Sequence, residues 1–554
     1  MRKFCVFSML LLLYLTLLPI VAAAGEIPDV PPGLNLPPFL GQPMQANPLP
    51  PKDVAPHPYL APQSSMHVDM YNSGVVDLPA PLGLDPVVRS RSMSQFIGMC
   101  LNFFYDSNEN LFAFCGTMPE GLLGLSIDFQ IALIDPETLS KRATFALLSF
   151  SVLELLNIPL EFGYMNLDNL GRMIVIDDDN NVLFVGLIGD SAQPELAVLD
   201  SFALAGSVDP ADDKVASVVP DYDGNYWFMT LGKTDADGKA LVPAMLGVVV
   251  RDTQEVLLRE LSGQVIENGL AIDAQGVYLV TDYATYGFTL DANAGKIDLL
   301  WREPYARATT PKPGTISLYG SGATPTLLGD DYLVITDNAD EQINLLVYDR
   351  RSNVDGERLI CRVPLFEAGA SANENSVVAV GRSILVQNWY NAPSMIFGDH
   401  TQMAPGLWRI DIREDESGCD VVWRNEQFAA AGTIKLSTAT GLIYGAMQSR
   451  EIAGTRAWYA QAVDFVTGET VYQVLLGNGL FKDLLYIPVY FGPDGTLYQP
   501  VLNGIIAVSD TVQIDDDDDD DDASPDDDAT DDDDEFLPPT SDDDDDDDDD
   551  GCGC

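Results

Sequence analysis

Between residues 95 and 510 the chain alternates or clusters Val, Ile, Leu, Tyr and Phe over runs of four to eight, broken each time by Gly, Asp or Asn. That period suits half-buried and buried β-strands, and helical periodicity is scarce. Ala146–Leu156 reads equally as a short helix or a buried strand. One strand-turn-strand unit recurs, at Asp177-Asp178-Asp179-Asn180-Asn181-Val182-Leu183-Phe184, Asp221-Tyr222-Asp223-Gly224-Asn225-Tyr226-Trp227-Phe228, Ile272-Asp273-Ala274-Gln275-Gly276-Val277-Tyr278-Leu279-Val280 and Phe491-Gly492-Pro493-Asp494-Gly495-Thr496-Leu497-Tyr498. Consecutive copies lie roughly 40 to 50 residues apart, the length of one four-stranded propeller blade.

The runs divide into units at 97–142, 162–206, 216–262, 265–304, 319–365, 371–425, 430–477 and 480–510. The pattern therefore predicts an all-β fold, a β-propeller of about eight four-stranded blades, with seven as the alternative. A sandwich of this size would be unusually large. Closing the ring calls for a strand from the other end of the chain, and Met70–Arg89, with its extended Val75-Val76-Asp77-Leu78, is the candidate to complete the blade near 480–510.

The two ends have other compositions. Residues 1–24 carry Arg2 and Lys3, an apolar run from Phe7 to Val21 and Ala22-Ala23-Ala24, the form of a signal peptide. The run is short for a membrane span, so an exported chain with no transmembrane helix after signal removal is expected. Residues 25–64 are dense in proline and read as an extended linker. Residues 65–510 are assigned to the propeller, and 511–554 to a disordered poly-Asp tail ending in Gly551-Cys552-Gly553-Cys554. Like charges at that density repel and build no core.

Formal net charge is −56, and outside the tail 60 acids still face 29 bases. That balance disfavours nucleic acid, whose phosphates need Lys and Arg, and anionic lipid surfaces. Small molecules, glycans and proteins remain as partners. Cys100 and Cys115 flank a hairpin and are expected to pair; Cys361 with Cys419 is the remaining pair in the body. Cys552 and Cys554 are read as a modification site or link.

Three stretches carry resemblances. Ile266-Glu267-Asn268-Gly269-Leu270-Ala271-Ile272-Asp273 through Asp282 resembles the Asn-Gly-Leu-Ala blade start of SMP-30/gluconolactonase and strictosidine-synthase-like propellers, and Pro220–Phe228 is similar to another of their blade openings. The resemblance implies that an Asn, here Asn268, helps hold a divalent metal. Gly320–Thr326, Ile335–Asp340 and Asn373-Glu374-Asn375-Ser376 resemble uncharacterised secreted bacterial propellers. The Asp-rich tail with Gly-Cys-Gly-Cys looks like those on exported proteins of deltaproteobacterial type.

Three histidines, His57, His67 and His400, leave little for multi-His zinc or copper sites or a Ser-His-Asp triad. No dinucleotide or Walker loop occurs. What remains is oxygen chemistry. Glu267-Asn268 and Glu374-Asn375 occupy comparable points in two units, and Asp337-Asn338 and Asp221 are further candidates for the same channel. Such groups suit Ca²⁺, and Glu267 or Glu374 would serve as base in a lactonase-like hydrolysis. The competing use of these Asp and Asn residues is capping their own turns. Trp389-Tyr390-Asn391 is a candidate stacking surface, while Trp408, Trp423 and Trp458 read as core. The expectation is an exported module for binding or surface interaction without assigned catalysis; a Ca²⁺-dependent lactonase-like hydrolase using a central-channel metal is the alternative.

Overall fold

The computed structural model describes residues 35–511 except 95–96, 119–125, 152–163, 190–191, 236, 318, 394–397, 451–455 and 485. The signal-like segment, the first part of the proline-rich stretch and the acidic tail with Cys552 and Cys554 lie outside the described residues. The chain divides into a unit up to Val512 and a separate C-terminal one.

Eight antiparallel four-stranded blades follow one another. Blade 1 is Gly98–Tyr105, Leu111–Thr117, Ser126–Ile134 and Lys141–Ser151. Blades 2 to 7 begin at Asn166–Leu167, Val215–Pro220, Ala271–Ile272, Thr326–Leu328, Val378–Val380 and Lys435–Ser437. Blade 8 is Tyr490–Phe491, Leu497–Val501 and Asn503–Ser509, with Val87–Arg91 from the other end of the chain as its fourth strand, paired antiparallel to Asn503–Ser509. Asn503-Gly504 then pairs in parallel with Gly98-Met99, joining the last blade to the first.

Hydrophobic burial closes the same circle. One cluster joins blades 8, 1 and 2 through Tyr498, Phe114 and Met173, and the next joins 2, 3 and 4 through Phe184, Trp227 and Ile272. Four more join 4 to 5, 5 to 6, 6 to 7 and 7 to 8. First strands such as Val215–Pro220 are buried throughout, whereas fourth strands such as Cys419–Asn425 alternate between half-buried and exposed. Stacking removes from water both faces of sheets that could not bury them alone.

Within each blade the first-to-second and third-to-fourth turns share one face, the turn face; the second-to-third and blade-to-blade connections share the other, the loop face. Asp106, Asp168, Asp221, Asp273 and Asp494 open the first turns of blades 1, 2, 3, 4 and 8, and each carboxylate accepts the N–H two residues on, at 2.8–3.1 Å. This is the Asx-turn use of aspartate. The copy at Asp177 belongs instead to the second-to-third turn of blade 2, and Asp168-Asn169-Leu170-Gly171 is its true counterpart.

Two expectations need correction, and one open alternative is decided. Residues 35–64, read as a spacer, are docked. Phe39–Gly41 adds a fifth strand to blade 7 against Tyr472–Val474, and the chain then crosses the turn face to Leu60, which bridges to Asp168 of blade 2. Proline restricts ladder donors but not edge pairing or loop packing. Within the candidate segment Met70–Arg89 the closing residues are at its end: Val87–Arg91 completes blade 8, whereas Val75-Val76 pairs in parallel with Leu436-Ser437 of blade 7. Ala146–Leu156 is strand as far as Ser151, and residues 152–156 lie outside the described residues. Both expected body disulfides are present: Cys100–Cys115 links facing residues of blade 1, and Cys361–Cys419 joins the outer strands of blades 5 and 6.

Candidate functional site

Residues 60–82 occupy the hub of the ring. Their carbonyls accept from the first strands in succession: Ile272 N–H donates to Met70 O (2.9 Å), Leu327 to Tyr71 (2.8 Å), Ala379 to Ser73 (2.9 Å), Leu436 to Gly74 (3.0 Å) and Thr438 to Val76 (2.9 Å). An inner strand without this partner would leave an open ladder edge. Asn72 seats the segment between two blades: its Nδ2 donates to Leu270 O (3.0 Å) and Pro325 O (2.9 Å). Asp69 shapes the turn by accepting from Tyr71 N, Ser73 N and Ser73 Oγ, and pairs with Lys52 Nζ at 2.8 Å.

Charge is buried beside this plug. Lys435, on the first strand of blade 7, is 2% exposed, and its ammonium lies 4.0 Å from the centre of the Tyr490 ring. Burial, then the charge of Lys52, lowers the Lys435 pKa to about 7 against the pull of Asp69. His67 is held neutral by burial and by Lys435, its pKa lowered to about 3, and its Nε2 lies 3.3 Å from Ser376 Oγ.

On the loop face the blade-to-blade connections interlock around the hub. Asn268 Nδ2 donates to Ser321 O (2.9 Å), and Thr433 Oγ1 donates to Asn375 Oδ1 (2.6 Å). Gly322 has to be glycine: a Cβ there would sit 2.4 Å from Asn373 O and 2.8 Å from Glu374 Cδ. The Tyr164 ring lies across Gly269 in the same way, 2.8 Å from where a Cβ would stand.

Glu374 accepts from both the N–H and the Oγ of Ser317, each at 3.1 Å. Burial first, and the Glu267 carboxylate second, push its carboxyl well above the usual range. The same two acids, after burial, raise the Tyr164 phenol to about 12, and Glu267 contributes to the rise at Tyr305. The structure thus brings Glu267 and Glu374 together at the hub with Asn268, Asn375, Tyr164 and Tyr305.

Other candidates are placed elsewhere or committed. Asp337 caps its own turn, accepting from Asn344 N (2.7 Å), Asn344 Nδ2 (2.9 Å) and Ala339 N (3.3 Å), and Asn338 N–H donates to Ala306 O. Asp221 stands on the opposite face, holding its turn and Trp227 Nε1 (2.8 Å). Ca²⁺ takes about six to eight oxygens, and among the described residues no group of three or more His, Cys, Asp or Glu is arranged to hold a metal. With Asp337 and Asn375 Oδ1 already engaged, the donor set does not fit that ion, and no chemical step is derived through it.

Trp389 is fully buried against Tyr486, with ring centres 4.8 Å apart, so it packs rather than presenting a stacking face. Lys435, Asp69, Ser317 and Tyr164 escaped the sequence reading. The one available signal was a lysine inside the apolar run Ile434-Lys435-Leu436.

No family model matches the chain. It is 24% identical over 270 residues to an uncharacterized protein of Archaeoglobus fulgidus, covering 44% of this chain and 51% of that one, so the chain spans about half the length of the curated relative it matches. Among solved structures it is similar to a europium-containing methanol dehydrogenase (TM-score 0.47, 10% identity, 81% of this chain and 98% of that one). It is also similar to Chaetomium thermophilum Sqt1, solved bound to the N-terminus of ribosomal protein L10 (0.41, 7%, 76% and 100%), and to a streptogramin B lyase (0.34, 10%, 77% and 98%). These neighbours include binding proteins and enzymes alike. No helix among the described residues is long and apolar enough to cross a membrane.

Proposed function

We propose that this chain is an exported propeller that binds a small molecule, glycan or protein on its loop face and has no catalytic role. The observation that carries the reading is the plug: residues 60–82 fill the hub and bond to the first strands of blades 4 to 7. A hub closed by its own chain leaves the loop face, with its long connections and the Glu267–Glu374 pair, as the surface for recognition. Loops on a rigid scaffold are the usual place for binding. The signal-like N-terminus and the two disulfides support export.

The convergence of Glu267 and Glu374 supports a second reading, a lactonase-like hydrolase in which one carboxyl carries a proton while its neighbour stays ionised. The test is a panel of immobilised glycans and peptides, with simple lactones assayed in parallel, using the full chain, Glu374→Gln and the turn-face variant Asp223→Asn. Binding lost in Glu374→Gln and kept in Asp223→Asn supports the module. Lactone turnover that Glu374→Gln abolishes replaces it with the hydrolase, and binding lost only in Asp223→Asn contradicts both.

A further inference from the structure

Between the plug and the loop face lies a small cavity with room for about one water-sized particle, lined by Met66, His67, Met70 and Met165 together with Ser65, Asn72, Tyr164 and Asn166 among others. Three methionines and one histidine lining a single small space is an unusual wall for a chain with 15 methionines and three histidines in 554 residues. Three of these side chains come from one short stretch of plug, and Met165 comes from the edge of blade 2.

We propose that Met66, His67, Met70 and Met165 form a binding site for a soft monovalent metal ion, Cu(I). Thioether sulfur selects Cu(I) over harder ions, and imidazole also suits copper. A second-shell partner is present: Ser376 Oγ lies 3.3 Å from His67 Nε2, and the proposed site takes Nδ1 as the coordinating nitrogen.

The backbone supplies an independent observation. Val68, between His67 and Met70, has φ of +84°, in a tight turn closed by Val68 N–H to Ser65 O (3.0 Å) and Ser64 N–H to Val68 O (2.8 Å). A β-branched residue in the left-handed region is a true outlier, and such strain gathers where side chains must be held in place. Methionine used only to fill an irregular gap would need no strained turn beside it.

The experiment uses the full chain with Cys5, Cys552 and Cys554 replaced by serine, because free thiols would compete for the metal. Anaerobic Cu(I), or Ag(I) as its redox-inert stand-in, is titrated against bicinchoninate. The expected result is one ion per chain, sulfur and nitrogen scatterers by X-ray absorption, and at least a 100-fold loss of affinity in Met70→Leu with Met165→Leu, a pair that keeps the volume. Should the pair fail to fold, Met165→Leu alone and the absorption spectrum of the parent chain decide. No tight binding, an oxygen-only shell, or affinity unchanged by the substitutions would overturn the site and leave the methionines as packing.

Discussion

Replacing Asn72 with alanine should loosen the plug more than any other single change in it. Asn72 is 3% exposed, holds φ of +54° and donates from Nδ2 to Leu270 O and Pro325 O. Truncation leaves two buried carbonyls short of a donor, at about 1–3 kcal/mol each. Alanine also tolerates the left-handed backbone less well than asparagine, by about 1 kcal/mol. Together the loss is about 3–7 kcal/mol. Asn72→Gly removes the amide but relaxes the backbone, and so should recover about 1 kcal/mol relative to alanine. Urea unfolding followed by tryptophan fluorescence, with midpoints and unfolding rates for both variants, reads the difference. An alanine variant within about 1 kcal/mol of the parent would refute the claim that this segment is seated between blades 4 and 5.

Three further outcomes follow from buried groups. Lys435 has a folded-state pKa depressed to about 7, so its contribution to stability is present above its unfolded value and lost as pH falls through the folded one. The advantage of Lys435→Met should therefore shrink by about 1.4 kcal/mol per pH unit from pH 7.5 to 9.5, and a constant gap in urea midpoints would contradict the assignment. Glu374 is the opposite case: its folded-state pKa is raised, so stability is full below the ordinary glutamate range and lost as pH rises through the folded value. Glu374→Gln should gain on the parent between pH 4 and pH 8, measured by thermal unfolding. Removing the 58-residue disulfide loop with Cys361→Ser and Cys419→Ser should cost about 4 kcal/mol, seen as a lower urea midpoint, with blades 5 and 6 the first to lose amide protection.

Much of the ring was readable from the chain because blade repeats are local. Runs such as Tyr226–Thr230 and their Asp turns state strand and turn within ten residues, and both body disulfides follow from facing or neighbouring strands. The plug was not readable. Its partners lie some 200 to 360 residues away in sequence, at Ile272, Leu327 and Thr438, and its bonds are made by backbone carbonyls that carry no side-chain signature. Proline density suggested a spacer, although a proline-rich stretch also suits a chain that crosses loops and pairs only at an edge. At the site, the matching positions of Glu267-Asn268 and Glu374-Asn375 predicted convergence, and the Glu267 charge, after burial, raises the Glu374 carboxyl. Asp337 and Asp221 carried the same residue type at a similar strand end but serve their own turns. Composition does not separate those two fates, because only the direction of the connection decides which face an aspartate meets.

Hydrogen exchange at the first strands tests the central claim most directly. The amides of Ile272, Leu327, Ala379, Leu436 and Thr438 donate to residues 70–76. The plugged ring predicts that these five exchange as slowly as the amides between second and third strands of the same blades, and that Asn72→Ala accelerates those of Ile272 and Leu327 first. Rapid exchange at all five in the native chain would mean that residues 60–82 do not occupy the hub.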